Sequence, residues 1–356
     1  MPCRIDDTGV WILTLRDLQW RRSRFVVAVL AAGMAFALTL IMSGILQHMR
    51  NESIRTVGMY PAGSWIVTDG ATGPFTTSQF VSAAVVDDLR RGSGVDGASP
   101  LLILRSTIDQ LDVNIVGYEI GGLTEPPELS AGAAATERGQ AIVDSSLDRR
   151  VGDTLTFAGR SYLVVGTTKN TTFYFSMPTV FLPIDDVQDQ FLAGLQLAST
   201  IIVTGSEPVV PPAGFDVLTS AQVKSDLDRP LARTSQTLGI INGLLWLMAA
   251  GTIGAIVYMT ALERTRDFAV FKATGASALS MALGLCAEAV MLALAAAVVA
   301  TILSAAIAPT FPFPVEIPAN AYAQLLVTAA AAGIVASLFG VRRVMKVDPA
   351  LAFGGL

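Results

Sequence analysis

Histidine occurs once in the 356 residues and cysteine twice. Cys3 and Cys286 fall in different regions and neither lies in the large hydrophilic stretch, which excludes a disulfide scaffold and any CxxC redox or zinc pair. A Ser-His-Asp or Cys-His site is equally hard to build, because the sole histidine, His48, sits at the end of an apolar run, where it reads as an interfacial polar residue. Charge is scarce as well. Asp, Glu, Lys and Arg make up 15% of the chain, against about 25% in soluble domains. The net charge of -5 and the lack of any long basic run disfavour nucleic acid as a partner. No phosphate-binding G-x-x-x-x-G-K-[ST] is present; the nearest stretch, Val165–Thr172, lacks the glycine spacing. Nucleotide hydrolysis must therefore come from another chain, and this one is expected to bind no metal or cofactor and to be no enzyme.

What the sequence has in excess is apolar length. Residues of the AVILMFWYC set make up 52%, and mean hydropathy is +0.56. Four runs, Phe25–Leu46, Leu238–Leu262, Met281–Pro309 and Ala321–Val341, are each at least 21 residues long and together hold one charge, Glu288. About 20 apolar residues cross a hydrocarbon layer, so each run reads as a membrane helix surrounded by lipid. The first is too long for a signal-peptide core and offers no A-x-A cleavage site, and Cys3 precedes it, so it reads as a retained anchor.

Orientation follows from the basic flanks. The segments 1–24, 263–280 and 342–356 carry 11 basic and 6 acidic residues, whereas the segment 47–237 carries 13 basic and 21 acidic. The short connection 310–320 has Glu316 and no basic residue. Both termini are thus expected in the cytoplasm, with a multi-pass chain in the cytoplasmic (inner) membrane. The expected organisation is a cytoplasmic amphipathic segment 1–24, span 25–46, an extracytoplasmic domain 47–237, span 238–262, a cytoplasmic helix 263–280, span 281–309, an outer loop 310–320, span 321–341 and a tail 342–356.

The outer segment reads as α+β. Thr76–Arg91 has helical spacing of Phe80, Ala84 and Leu89; Leu101–Ile108 and Leu111–Tyr118 read as strands about a polar turn; Glu119–Gly139 reads as a loop. Ala141–Thr168 gives strand, short helix, strand, a tight turn at Gly159 and strand; Phe175–Leu192 gives strand then helix, and Thr200–Thr204 a further strand. Polar but helix-compatible sequence next to the first and second spans predicts helical stalks, the second starting at Pro230. The paired acids Asp87–Asp88 and Asp185–Asp186 point about 100° apart on a helix and read as solvated faces rather than acid–base pairs.

Within the spans, Glu288 is the one charge, open to structural hydrogen bonding, gating or proton transfer. Gly239, Gly243, Gly251 and Gly254 give small-residue spacing suited to close helix packing or a dimer face. The loop ERTRDFAVFKATGAS, Glu263–Ser277, is too charged for lipid; Phe268 and Phe271 lie at i,i+3 and Gly275 ends the turn, giving a short amphipathic helix. It either lies on the headgroups or docks in a groove of a cytoplasmic partner.

This loop resembles the ERxREfgvlkAlGAs signature of FtsX-like permeases, the membrane subunits of MacB/LolC/FtsX-type ABC systems. Leu15–Phe25 resembles the basic entry to the family's first span, Val151–Thr168 the GDxixxxgxxfxVvGi stretch of the MacB-like extracytoplasmic core domain, and Val341–Phe353 the family's RR-x-x-x-x-DP-x-x-A terminus. Glu288 matches an acid found early in the family's third span, which favours a structural role. The pieces occur in family order and cover most of the chain.

The resemblance implies an α-helical membrane protein of four spans with an α+β domain between the first two. It implies a permease working as a dimer, with itself or a paralogue, and with two copies of a separate ABC ATPase that uses ATP and Mg. Glu263, Arg264, Arg266, Phe268, Phe271, Lys272 and Gly275 would contact that ATPase, and ATP-driven closure would pass through the stalks to the outer domain for export, extraction or signalling. Since no ATPase precedes the first span, a standalone ATPase is expected. An extracytoplasmic adaptor or wall hydrolase is a further implied partner, and a domain near 190 residues favours the exporter type. The alternative is a receptor or scaffold without transport, signalling from an outer ligand-binding domain.

Overall fold

The computed structural model describes residues 22–174, 176–205, 209–263, 278–311 and 313–345. The chain divides into two compact units, a helical unit formed by the segments up to His48 and from Gln236 onward, and a sheet unit, Met49–Ser235. Helix α1, Arg22–Gly58, is the first element of the described residues and has 37 residues, roughly 55 Å of helix where a bilayer core needs about 30 Å.

In the sheet unit the order is β1 (Ser64–Thr68), β2 (Val81–Ser82), α2 (Val85–Arg90), β3 (Val95–Ile108), β4 (Leu111–Tyr118), β5 (Ala131–Gly132), β6 (Gln140–Asp144), β7 (Thr154–Phe157), β8 (Arg160–Thr168), β9 (Thr179–Pro183), α3 (Ile184–Phe191), β10 (Leu197–Ala198), β11 (Thr200–Gly205) and β12 (Phe215–Leu218). Ten strands form one sheet in the order β12-β1-β11-β3-β4-β9-β6-β8-β5, with β7 also on β8. Among the described residues, β4–β9 and β6–β8 pair in parallel and the other strand pairs are antiparallel. Two-residue turns close β3–β4 and β7–β8, and both residues of each are left-handed: Asp109 and Gln110 (φ 50° and 69°), Ala158 and Gly159 (φ 46° and 80°). That is the handedness which matches strand twist in tight hairpins. Trp65, Ile66 and Val67 of β1 are all fully buried, so this short strand is central to the core rather than an edge.

Three expectations from the sequence change. The helix foreseen over Thr76–Arg91 is confined to Val85–Arg90, because Val81–Ser82 pairs with Leu197–Ala198 and takes the preceding residues into a small second sheet. The second long helix, α4, begins at Ser220 rather than at Pro230, which stands inside it. Burial of Val223, Asp226 and Leu227 holds the earlier turns, so the one helical bond lost to proline does not set the boundary. Asp186 is not solvated: it is 5% exposed and accepts from Arg138 Nε at 2.9 Å and Gly139 N at 2.7 Å, fastening the end of the 119–139 loop to α3. Asp87, Asp88 and Asp185 are exposed.

Helix α4 runs over 44 residues to Glu263, and α5 (Ala278–Ile307) and α6 (Ala319–Met345) follow among the described residues. Helices α1, α4 and α5 are long and apolar enough to cross a membrane, and α6 carries a shorter apolar segment, Ala319–Val335. Alanine dominates the core of the helical unit, with Ala32 of α1, Ala249 of α4, Ala289, Ala293 and Ala296 of α5 and Ala329 of α6 packed beside the larger Phe36, Ile253 and Leu325. Without a hydrophobic force between helices in lipid, close backbone approach is what such small residues allow. It is tight at Gly333, where a β-carbon would lie 2.8 Å from the Ala289 carbonyl, while at Gly44 it would lie 2.6 Å from Val315 Cγ1 in the connection between α5 and α6.

Backbone cannot yield to a new side chain as a flexible one can, so Gly333→Val should destabilise the helical unit by about 1–3 kcal/mol. The check is the thermal midpoint of the purified protein in detergent. An unchanged midpoint would mean that α5 and α6 do not meet at this glycine.

Candidate functional site

Within the sheet unit, the last turns of α1 and the first turns of α4 are buried. Glu52, Ser53 and Thr56 of α1 are each 1% exposed, and Asp226 of α4 is fully enclosed. Buried acids without partners would cost on the order of several kcal/mol each, and both are bonded. Glu52 Oε1 accepts from Thr172 Oγ1 and from the Ser176 backbone N–H, each at 2.8 Å. Asp226 Oδ2 accepts from the backbone N–H groups of Phe75 (3.0 Å) and Thr76 (3.2 Å). Its Oδ1 accepts from the Thr72 hydroxyl at 3.2 Å and from the Thr76 hydroxyl. Gly73 is needed at this loop, since a β-carbon there would lie 2.4 Å from the Asp226 carboxyl.

The loop that holds Glu52 is itself braced. Asp144 Oδ2 accepts from the N–H and hydroxyl of Thr171, both at 2.8 Å, and Asn114 Nδ2 donates to the carbonyls of Phe173 (3.3 Å) and Met177 (3.0 Å). The two acid-binding loops meet through aromatic rings. Phe75 packs edge-on against Phe173 at 5.6 Å and against Tyr174 at 6.5 Å, and the Tyr174 hydroxyl donates to the Phe75 carbonyl. The Arg105 guanidinium stacks on the Tyr174 ring, 3.9 Å from its centroid. On the other side Phe75 meets Trp65, which meets Tyr60 just beyond the end of α1, while Trp65 Nε1 donates to Ser220 Oγ at the start of α4 (3.3 Å). Val57 of α1 and Val223 and Leu227 of α4 lie in this same core. The two helix ends, the two loops and the rings therefore form one connected junction.

Chemically the junction anchors. Its acids are filled by donors, and among the described residues there is no cluster of His, Cys, Asp or Glu that could hold a metal. Burial raises the Tyr174 phenol to about 12; Arg105 opposes the rise and Asp226 adds to it.

The structure brings few of the residues foreseen from the sequence to this place. Glu263 is exposed at the end of α4, while Arg264, Arg266, Phe268, Phe271, Lys272 and Gly275 lie outside the described residues. Glu288 is 8% exposed on α5. His48, expected at the membrane interface, is 1% exposed, with Nδ1 3.0 Å from Glu316 Oε1. Among the described residues a β-carbon on Gly239, Gly243 or Gly251 would meet nothing within 4 Å, and Gly254 is half-buried; close helix contacts within the chain are found at Gly33 and Gly333. Glu52 and Asp226 carry no local sign of their role in the sequence, because their partners stand 120 to 154 residues away along the chain.

The model of the FtsX-like permease C-terminal region matches residues 239–349, and that of the MacB-like periplasmic core domain matches residues 25–219. An uncharacterized ABC transporter permease of Mycobacterium tuberculosis is 38% identical over 345 residues, covering 96% of this chain and 98% of the relative. Another from the same species is 35% identical over the same shares. The periplasmic region of MacB from Actinobacillus actinomycetemcomitans, a crystal structure, is 14% identical and covers 49% of this chain and 97% of its own, with a TM-score of 0.36. That score is too low for the superposition to carry weight.

A folded-state phenol held at about 12, above its ordinary value near 10, contributes stability that is complete below pH ~10 and drains away as pH rises towards the folded value. In alkaline melts of the whole protein, Tyr174→Phe should therefore lose less stability across this window than the parent. An equal loss in both would show that Tyr174 is not held protonated in the junction.

Proposed function

The chain belongs to the FtsX-like, MacB-type family of ABC transporter permeases, and we propose that it is the membrane subunit of a machine driven by a separate ATPase, passing nucleotide-driven movement to its periplasmic-type domain. The observation that carries this proposal is helix continuity. Helix α1 contains the apolar stretch that begins at Phe25 and runs unbroken to Gly58, and α4 runs unbroken from Ser220 to Glu263. Each joins a membrane-length segment to residues buried in the sheet-unit core. A helix can transmit displacement along its axis because its hydrogen bonds run parallel to that axis.

In this proposal four helices span the cytoplasmic membrane with both termini inside, supported by the basic balance of segments 1–24, 263–280 and 342–356 against the acidic balance of 47–237. The segment 263–280 docks on the ATPase, with Arg264, Arg266 and Lys272 as its charges and Phe268 and Phe271 as its apolar edge. ATP and Mg are bound by the partner. A second permease copy covers the open face of α4 around Gly239 and Gly243, where exposed Ile240, Leu244 and Leu247 lie beside the glycines. Glu288, nearly buried on α5, keeps a structural role. Work done on the sheet unit serves export, extraction or signalling.

Two measurements test these assignments. Reversing both Arg264 and Arg266 to Glu should reduce recovery of the cognate ATPase with the tagged permease by more than about tenfold, since like charges at a docking surface repel. Normal recovery with normal ATP-dependent activity would remove the docking assignment. Gly239→Leu with Gly243→Leu should leave the single chain folded, given the open space at both positions. It should also lower the dimer fraction counted in nanodiscs; an unaltered fraction would place the interface elsewhere.

A further inference from the structure

Glu52 and Asp226 lie on different helices, are each buried, and each hold a different loop. Helix α1 acts on the 172–176 loop through Glu52, and α4 acts on the 72–76 loop through Asp226. The loops in turn share the Phe75, Phe173 and Tyr174 rings and the bond from the Tyr174 hydroxyl to the Phe75 carbonyl. We infer that Glu52 and Asp226 are a coupled pair of positioning residues, so that displacing either helix end loosens or shifts both loops rather than its own alone. What this coupling serves, delivery of movement from two helices to the sheet unit as one event, rests on the permease function proposed above; the coupling itself does not.

The Thr172 hydroxyl and the Ser176 amide both meet Glu52 at one oxygen, Oε1. Asp226 uses both oxygens, two donors on each. An asparagine there places an amide donor against two other donors and loses one side of the clamp. Packing supports the connection between the loops. Interiors are close-packed, so a shift at Phe173 or Tyr174 is felt at Phe75 rather than absorbed in empty space. The charge of Asp226 is also felt at the Tyr174 phenol, which raises its pKa further.

The test is hydrogen–deuterium exchange on the full chain in nanodiscs without any ATPase, following the Phe75 and Thr76 amides, which bond Asp226, and the Ser176 amide, which bonds Glu52. Glu52→Ala should speed exchange about tenfold at Ser176 and also, by several-fold, at Phe75 and Thr76. Asp226→Asn should produce the reciprocal pattern. In a Phe75→Leu background each effect should shrink to its own loop. The Val113–Val116 amides of β4 serve as the reference: protection there separates loosening from general unfolding, and Thr172→Val replaces Glu52→Ala if that variant does not fold. Loosening confined to the mutated side, with Phe75 intact, would overturn the coupling. Because no ATPase is present, that result would leave the permease proposal standing, and loss of ATPase binding would leave the exchange result standing.

Discussion

Two long helices finish inside a folded domain, and the acids at their ends, Glu52 and Asp226, can be buried only because loops of that domain supply donors to them. Removing water from a carboxyl group is costly unless every acceptor is used. The requirement works in both directions. It fixes where the helices stand against the loops, and it ties the loops to the helix ends. Asp144 and Asn114 brace the second loop from the sheet side, so the helix end presses on a segment already tied to β4 and β6. The ring series from Tyr60 through Trp65 and Phe75 to Phe173 fills the space between the clamps.

The helical unit is built on the opposite physics. Its core is dominated by alanine, and its tightest approaches occur at Gly33, Gly44 and Gly333. Small residues give broad van der Waals contact without locking large side chains into one another, which suits helices in lipid. Its polar groups are answered locally or in pairs: Thr39 bonds the Ala35 carbonyl at 3.1 Å, and His48 meets Glu316. The sheet unit instead holds its helix ends by directional bonds and large rings. A movement of the helices is thus tolerated by the packing at one place and resisted by bonds at another.

Much of this was legible in the sequence, and the exceptions have physical causes. Alternation and turn chemistry marked β3, β4, β6 to β9, α3 and β11, and apolar length marked α1, α4 and α5 as membrane-type helices. Ser64–Thr68 and Phe215–Leu218 escaped because short strands take their stability from neighbours; β1 pairs with both β11 and β12. Helical spacing over Thr76–Arg91 lost to strand pairing at Val81–Ser82. The junction itself was invisible: Glu52 stood in a polar stretch read only as stalk, and Asp226 four residues before the proline taken for the helix start. Glycine spacing on α4 pointed to close packing or a dimer face; within the described residues Gly239, Gly243 and Gly251 face open space, and the close helix-to-helix backbone approach is at Gly333 of α6. Spacing tells which faces can approach, not which partner arrives.

Trp65 is the most direct reporter of the central claim, since it is fully buried, packs between Tyr60 and Phe75, and bonds Ser220 at the start of α4. Fluorine NMR of a fluorotryptophan at this position, in the permease–ATPase complex in nanodiscs, would follow it through the nucleotide cycle. Helix movement delivered to the junction predicts a second Trp65 resonance on adding ATP and Mg, lost on return to the nucleotide-free state. A single unchanged resonance while ATP is being turned over would contradict the account.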